Sequence, residues 1–218
     1  MERLLGHKGM NKDAAAKVLA ATSDLLAEFN KTYWIDSGTL LSAYRDRDIN
    51  EYDHDIDIRT IGTEWAVEEV AELVRRLWLM GYCHLKDTGE AQEQILAYHI
   101  NGILLDFKFC HYDDESVWYY CFEKDVTVAH LFERRFFETL GRIDLLGREY
   151  PCPAPVQEYI EAHYGPDWRL FKVRASEANE TDLTWDYMKD PPAMLTEEGF
   201  EALKGYEMPV MVYRRDYG

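Results

Sequence analysis

Residues 53–59 read Asp53-His54-Asp55-Ile56-Asp57-Ile58-Arg59, with Ile56 and Ile58 on one side of a two-residue period and the carboxylates on the other. Such alternation marks a half-buried strand. Because successive side chains of a strand point to opposite faces, Asp53, Asp55 and Asp57 are expected on one face. Two like charges about 4 Å apart cost on the order of 4 kcal/mol at an effective dielectric near 20, and a third adds to that. Protonation or a cation must relieve the repulsion. A hard divalent cation such as Mg²⁺ binds one or two carboxylates and completes its shell with water and phosphate oxygens, so it suits an Asp-x-Asp pair. The plain alternative is an acidic strand that faces solvent.

Upstream, Tyr33–Ile35 is a short apolar run, Asp36-Ser37-Gly38 reads as a tight turn, and Thr39–Tyr44 is a helical stretch ended by the charged segment 45–51. The backbone N–H groups of Ser37, Gly38 and Thr39 would then lie at a helix N-terminus, where phosphate oxygens can be held. Ser37 equally suits a helix cap. Arg45, just past the helix, has the bidentate donors that phosphate needs, although a surface charge is the simpler role. Downstream, Asp106 lies within Ile103–Cys110 among Leu104, Leu105, Phe107 and Phe109, where an unpaired carboxylate is expensive to bury. On the pleat it shares a side with Leu104 and Lys108. If this strand lies beside the first, Asp106 completes a carboxylate cluster, with Lys108 close enough to neutralise it. His54 points away from the aspartates in this register and reads as structural or solvent-facing.

The remaining pattern is mixed. Residues 11–30 carry helically spaced Val18, Leu19, Leu25, Leu26 and Phe29 after a capping Asn11. A second helix is expected from Thr63, with Glu64 in its first turn and Arg75 and Arg76 near its end, stopped by Gly81. Residues 94–100 and 103–110 form two strands joined by Asn101-Gly102, a two-residue hairpin signal, which reads as a meander rather than a βαβ repeat. Residues 117–122 add a strand, 142–153 a hairpin or extended passage, and 156–164 a helix closed by Gly165-Pro166. The last fifty residues, with Trp185 and the Pro191-Pro192 break, are expected to wrap as a tail. The economical architecture is one α+β domain over 1–218, with a core at about 31–168 and a tail at 169–218.

Composition narrows the partners. The 218 residues are 47% hydrophobic, enough to fill a core, and 41 acidic against 24 basic residues give a formal charge of −17. That charge repels nucleic-acid backbones and anionic lipid surfaces, so no nucleic acid is expected and phosphate chemistry must rest on bound cations and a few local donors. The N-terminal residues lack the apolar stretch of a signal peptide and no run of about 18 apolar residues occurs, so a cytoplasmic location without a transmembrane segment is expected. Cys83, Cys110, Cys121 and Cys152 lack paired zinc spacing and read as reduced, mostly buried thiols.

Three segments in combination carry a family resemblance. GTLLSAYRDRDINEYDHDIDI at 38–58 resembles the signature of the LicD/fukutin family of phosphotransferases; LLDFKF at 104–109 resembles that family's third-carboxylate strand; PCPAPVQEYIEAHYGPDW at 151–168 resembles its proline-flanked C-terminal helix. Ser42 stands where the family more often has Gly, and a small residue still permits close packing. The resemblance implies a nucleotidyltransferase-like mixed β-sheet flanked by helices, with helical additions at both ends. It also implies transfer of a phosphorylated alcohol, such as phosphocholine or a polyol phosphate, from a CDP-linked donor to a glycan or glycolipid hydroxyl. In that reading Asp55, Asp57 and Asp106 are catalytic and hold Mg²⁺ or Mn²⁺, with Asp53 a further metal contact or an orienting group. Ser37, Gly38, Thr39, Arg45 and Lys108 would face the donor phosphates.

The 14% of aromatic residues, among them Trp118-Tyr119-Tyr120, Trp168 and Trp185, could cage choline or stack on sugar or cytosine, and mostly serve the core. Tyr164 and Trp168 read as helix stop and packing. An antibiotic adenylyltransferase using ATP shares the glycine turn and the Asp-x-Asp strand but differs after the glycine, and a catalytically silent binding protein would have no reason to keep a self-repelling cluster. The shared-face argument predicts that Asp55→Asn or Asp57→Asn abolishes turnover while circular dichroism shows the fold unchanged. Normal turnover in either variant contradicts it.

Overall fold

The computed structural model describes residues 10–50, 53, 55–86, 94–123 and 126–169. The expected tail beyond residue 169, including Trp185, and His54 lie outside the described residues. Helix α1 (Lys12–Glu28) starts at Asn11, whose side chain accepts a hydrogen bond from the Ala14 N–H at 3.0 Å, the ordinary way to satisfy a free N-terminal donor. Its buried face of Ala15, Val18, Leu19, Leu25 and Leu26 carries the apolar spacing read from the sequence. Strand β1 (Tyr33–Ile35) leads into α2 (Ser37–Asp46), which begins two residues before the expected Thr39 and has Asp36, not Ser37, at the cap position.

Strand β2 spans Asp55–Ile61 rather than 53–59. Asp53 precedes it, its N–H donating to the Asn50 carbonyl at 3.1 Å. The second long helix, α3 (Val67–Leu79), also starts later than the expected Thr63. Residues 62–64 instead make a 3₁₀ turn, and the Glu64 carboxylate accepts from the Thr32 N–H at 2.7 Å, so Glu64 fastens the α1–β1 loop. Glu68 and Glu69 take the first-turn places.

Beyond α3 lie β3 (Tyr82–Lys86), β4 (Gln94–His99), β5 (Leu104–Tyr112), β6 (Ser116–Glu123) and β7 (Val126–Glu133). The sheet runs β1-β2-β5-β4-β3, and the far end of β5 pairs with β6, which pairs with β7. β2 and β5 are parallel, with Asp57 opposite Asp106. α3, β3 and β4 form the crossover that the parallel β2–β5 pair requires, and the expected meander is present, since β3, β4, β5, β6 and β7 pair successively antiparallel, with β4–β5 the expected hairpin. In its turn only Gly102 has positive φ (80°), and the His99 N–H bonds the Ile103 carbonyl across three residues.

The hairpin expected at 142–153 is β8 (Gly141–Leu145) with β9 (Arg148–Cys152), and α4 (Val156–Tyr164) follows, ending at Gly165 with φ 83°. The core runs continuously from α1 through the sheet to Tyr159, Ile160 and Trp168. Cys110 and Cys152 are buried free thiols, as expected; the side chains of Cys83 and Cys121 lie outside the described residues. No helix among the described residues is long and apolar enough to cross a membrane.

The β8–β9 turn places Leu146 (φ 56°) and Gly147 (φ 80°) both in the left-handed region, with the Leu146 side chain 49% exposed. A leucine there is strained by about 1 kcal/mol and gains little packing, whereas Asn-Gly favours this two-residue turn. Leu146→Asn is expected to raise Tm by roughly 2–4 °C in a calorimetric scan. An unchanged or lower Tm contradicts this account of the turn.

Candidate active site

The site forms where the β1–α2 elbow meets β2 and β5. The Asp36 N–H donates to the Asp57 carbonyl at 3.1 Å, the Asp57 N–H donates to Thr39 Oγ1 at 2.9 Å, and the Thr39 N–H donates to Asp57 Oδ2 at 3.3 Å. Asp57 thus uses its backbone and its carboxylate to staple the N-terminus of α2, a favourable place for negative charge. Ser42 folds back onto its own helix, Oγ donating to the Gly38 carbonyl at 2.9 Å. This keeps a small residue at the buried face.

Asp53, Asp55 and Asp57 each present a carboxylate oxygen within 4.8 Å of the other two. Asp57 is 5% exposed, while Asp53 and Asp55 are half-buried and form the open side of the cluster. Gly38 is what lets Asp53 approach, because a Cβ at residue 38 would run into the Asp53 carboxylate. The all-oxygen donor set suits Mg²⁺ or Mn²⁺.

Asp106 faces Asp57 across the parallel pair and is held by three donors. Gln94 Nε2 donates to Oδ1 at 2.6 Å, Arg59 Nη2 reaches Oδ2 at 3.4 Å, and Lys108 Nζ lies 3.3 Å from Oδ2. Lys108 therefore sits beside Asp106 as the pleat predicts. Arg45 is half-buried and pairs with the neighbouring Asp46, with contacts of 2.6–3.0 Å.

At the centre is Arg59, 1% exposed and absent from the sequence-derived list. Its Nη2 donates to Asp57 Oδ1 at 3.0 Å and to Ser37 Oγ at 3.2 Å, while Nη1 donates to the Asp106 carbonyl at 2.8 Å. Its Nε faces Asp36 Oδ2 at 3.6 Å. The Tyr119 ring covers the guanidinium at 4.8 Å and lies 5.2 Å from the Lys108 ammonium, so this aromatic belongs to the site wall. Arg59 continues the Asp55–Asp57 face by two residues. The signal for it was a cation on the carboxylate side of the strand.

The same burial acts differently on the carboxylates. Burial, then repulsion from Asp57, Asp53 and Asp106, pushes Asp55 well above the usual carboxylate range, with Asp53 hydrogen-bonded to it. Burial also pushes Asp57 up to about 7; Arg59 opposes this, and Asp106, Asp53 and Asp36 add to it. Burial would raise Asp106 too, but Arg59, Lys108 and the Gln94 hydrogen bond outweigh it and hold that carboxylate below the ordinary value. Burial, then Asp57 and Asp36, raises the Tyr164 phenol, so Tyr164 stands within electrostatic reach of the carboxylates as well as ending its helix.

The mixed sheet thus brings together the N-terminus of α2, an Asp-x-Asp strand and a third Asp on the parallel neighbour. The chain belongs to the LicD/FKTN/FKRP family, whose nucleotidyltransferase domain matches residues 30–155. Similar curated relatives are the ribitol-5-phosphate transferases FKTN of Macaca fascicularis and Homo sapiens, each 22% identical over 185 residues, which is 83% of this chain. The chain spans about a third (36%) of the length of those relatives. Two solved structures also align at 17% identity. The lincomycin-bound lincosamide antibiotic adenylyltransferase LnuA covers 70% of this chain and 94% of its own (TM-score 0.46). The antibiotic-resistance factor ANT(2'')-Ia covers 78% and 83% (TM-score 0.44).

The raised Asp57 predicts a pH dependence in the metal-free protein. An unfolded Asp releases its proton near pH 4 and the folded one near 7, so the folded state binds more protons in between and loses stability as pH rises through that window. Asp57→Asn removes the penalty. Its stability relative to wild type should therefore grow between pH 4.5 and 8, by up to about 4 kcal/mol, in urea unfolding followed at both pH values. A difference independent of pH contradicts the shift.

Proposed function

We propose that this chain is a divalent-cation-dependent transferase that moves a phosphorylated alcohol, of polyol-phosphate or phosphocholine type, from a CDP-linked donor to a glycan or glycolipid hydroxyl. The observation that carries the reading is the facing of Asp57 and Asp106 across the parallel β2–β5 pair, with Asp53 and Asp55 beside them. The names of the FKTN relatives favour ribitol phosphate or another polyol phosphate as the transferred group.

Asp53, Asp55 and Asp57 would hold Mg²⁺ or Mn²⁺, whose charge supports the donor diphosphate and the departing nucleotide. Asp106 has a different task. Kept ionised by Arg59 and Lys108, it is a weak base but a permanent acceptor, suited to receive a hydrogen bond from the attacking hydroxyl and fix its direction. Charge supports the division. Among the described residues Asp36, Asp53, Asp55, Asp57 and Asp106 bring five formal negative charges together with two positive ones on Arg59 and Lys108, a formal excess that a metal cation would reduce. Donor phosphates, themselves anionic, would enter only with a cation bound. Ser37 Oγ stands at the elbow next to Arg59 and, with Gly38, Thr39, Arg45 and Lys108, is assigned to the donor side.

A ligand that binds only the folded chain raises its apparent stability. Thermal-shift titration with Mn²⁺ plus CDP-ribitol, CDP-choline, CTP or ATP is therefore expected to show a metal-dependent shift that is largest with one CDP-alcohol. A shift with ATP alone would replace this reading with adenylyl transfer, and none with any donor or metal would favour a silent binding protein.

A further inference from the structure

The carboxylate cluster is tied to the far helix α4 by a buried line of polar contacts. The Tyr159 hydroxyl donates to Asp36 Oδ1 at 2.6 Å, and Asp36 Oδ2 faces Arg59 Nε at 3.6 Å. The other end of that guanidinium donates to Asp57 Oδ1 at 3.0 Å. Asp36 is fully buried and Tyr159 and Arg59 are 1% exposed. Among the described residues, Asp36 Oδ2 and Arg59 Nε have no hydrogen-bond partner and face each other as an ion pair, and the Tyr159 hydroxyl is the side-chain donor to the Asp36 carboxylate. The ring itself is packed by Phe132, Phe136 and Phe137, at centroid separations of 4.9–5.6 Å.

We propose that Tyr159 and Asp36 are positioning residues for the metal-holding carboxylate Asp57: Tyr159 orients Asp36, Asp36 sets the guanidinium of Arg59, and Arg59 presents Asp57 to the cation. This rests on the metal reading given above. Groups that fix a metal ligand through hydrogen bonds typically change metal affinity by 10–100-fold when removed. Without the phenol hydroxyl, the Asp36 carboxylate is no longer held beside Arg59 Nε, and the guanidinium loses the contact that sets its direction toward Asp57. The consequence is a site whose metal affinity depends on the docking of a helix that supplies no ligand.

The test is Mn²⁺ binding to the full chain, measured by electron paramagnetic resonance of the free ion without any substrate. Tyr159→Phe keeps the ring packing and is expected to weaken Mn²⁺ on the order of 10-fold. Ile160→Val, a buried neighbour on the same helix, serves as the packing control and should bind Mn²⁺ as wild type does. Asp36→Asn should weaken binding similarly, and in that background Tyr159→Phe should add less than about twofold, because residues acting through one contact are not additive. Should Tyr159→Phe fail to fold, the Asp36→Asn result alone decides. Wild-type affinity in Tyr159→Phe or Asp36→Asn, additive losses, or an equal loss in Ile160→Val overturns the proposal. Wild-type protein that binds no Mn²⁺ overturns the metal reading and this proposal with it, whereas normal Mn²⁺ binding unaffected by these variants overturns the proposal alone.

Discussion

One buried guanidinium holds the site together. Arg59 is surrounded by carboxylates from the β1–α2 elbow, from its own strand and from β5, each of which would be costly to bury unpaired. Removing a partner from such a cluster leaves charges stranded, which typically costs about 3–5 kcal/mol. The price is repaid in geometry, since one rigid fork of donors fixes Asp57 and Asp106 relative to each other. The neighbouring elements are arranged to support it. Tyr119 from β6 covers the cation, and Tyr159 from α4 fastens the carboxylate behind it.

That arrangement divides the carboxylates into two kinds. Asp106 is approached by Lys108 as well as Arg59 and stays ionised, while Asp55 and Asp57 are pushed up and hold protons more readily in the absence of metal. Pairs of like groups with pKa values pushed apart commonly carry different roles. In the proposed transferase Asp55 and Asp57 would exchange their protons for a divalent cation as donor binds, and Asp106 would keep its place beside the acceptor hydroxyl. An acidic protein of net charge −17 can then admit an anionic donor through a local cation rather than a basic surface.

Much of this was legible in the sequence for simple reasons. Two-residue alternation gives Asp55 and Asp57 a common face, and an Asp amid Leu105, Phe107 and Phe109 cannot be buried without partners; the parallel register then places Asp57 opposite Asp106. The helices α1 and α4 follow from apolar spacing and caps. Other features depend on contacts distant in sequence. Asp36 looks like a turn residue until Tyr159, 123 positions away, donates to it, and Gln94 has no local mark as a partner of Asp106. Arg59 was within reach of the same pleat argument, read two residues further. The late start of α3 came from Glu64 bonding Thr32, a tertiary contact that overrides a plausible first turn. β7 carries β-branched Val126, Thr127 and Val128 and was readable, whereas β3 mixes Tyr82, Cys83, His84 and Lys86 without clear alternation.

The account turns on a cation held by Asp53, Asp55 and Asp57 in the frame set by Arg59. Its most direct test is an anomalous difference map from crystals grown with Mn²⁺ and measured at the manganese absorption edge. The account predicts a peak bounded by oxygens of those three carboxylates, with Arg59 still bonded to Asp57 and Asp106. No peak there in crystals grown at saturating Mn²⁺, or a peak elsewhere with the three carboxylates turned apart, contradicts it.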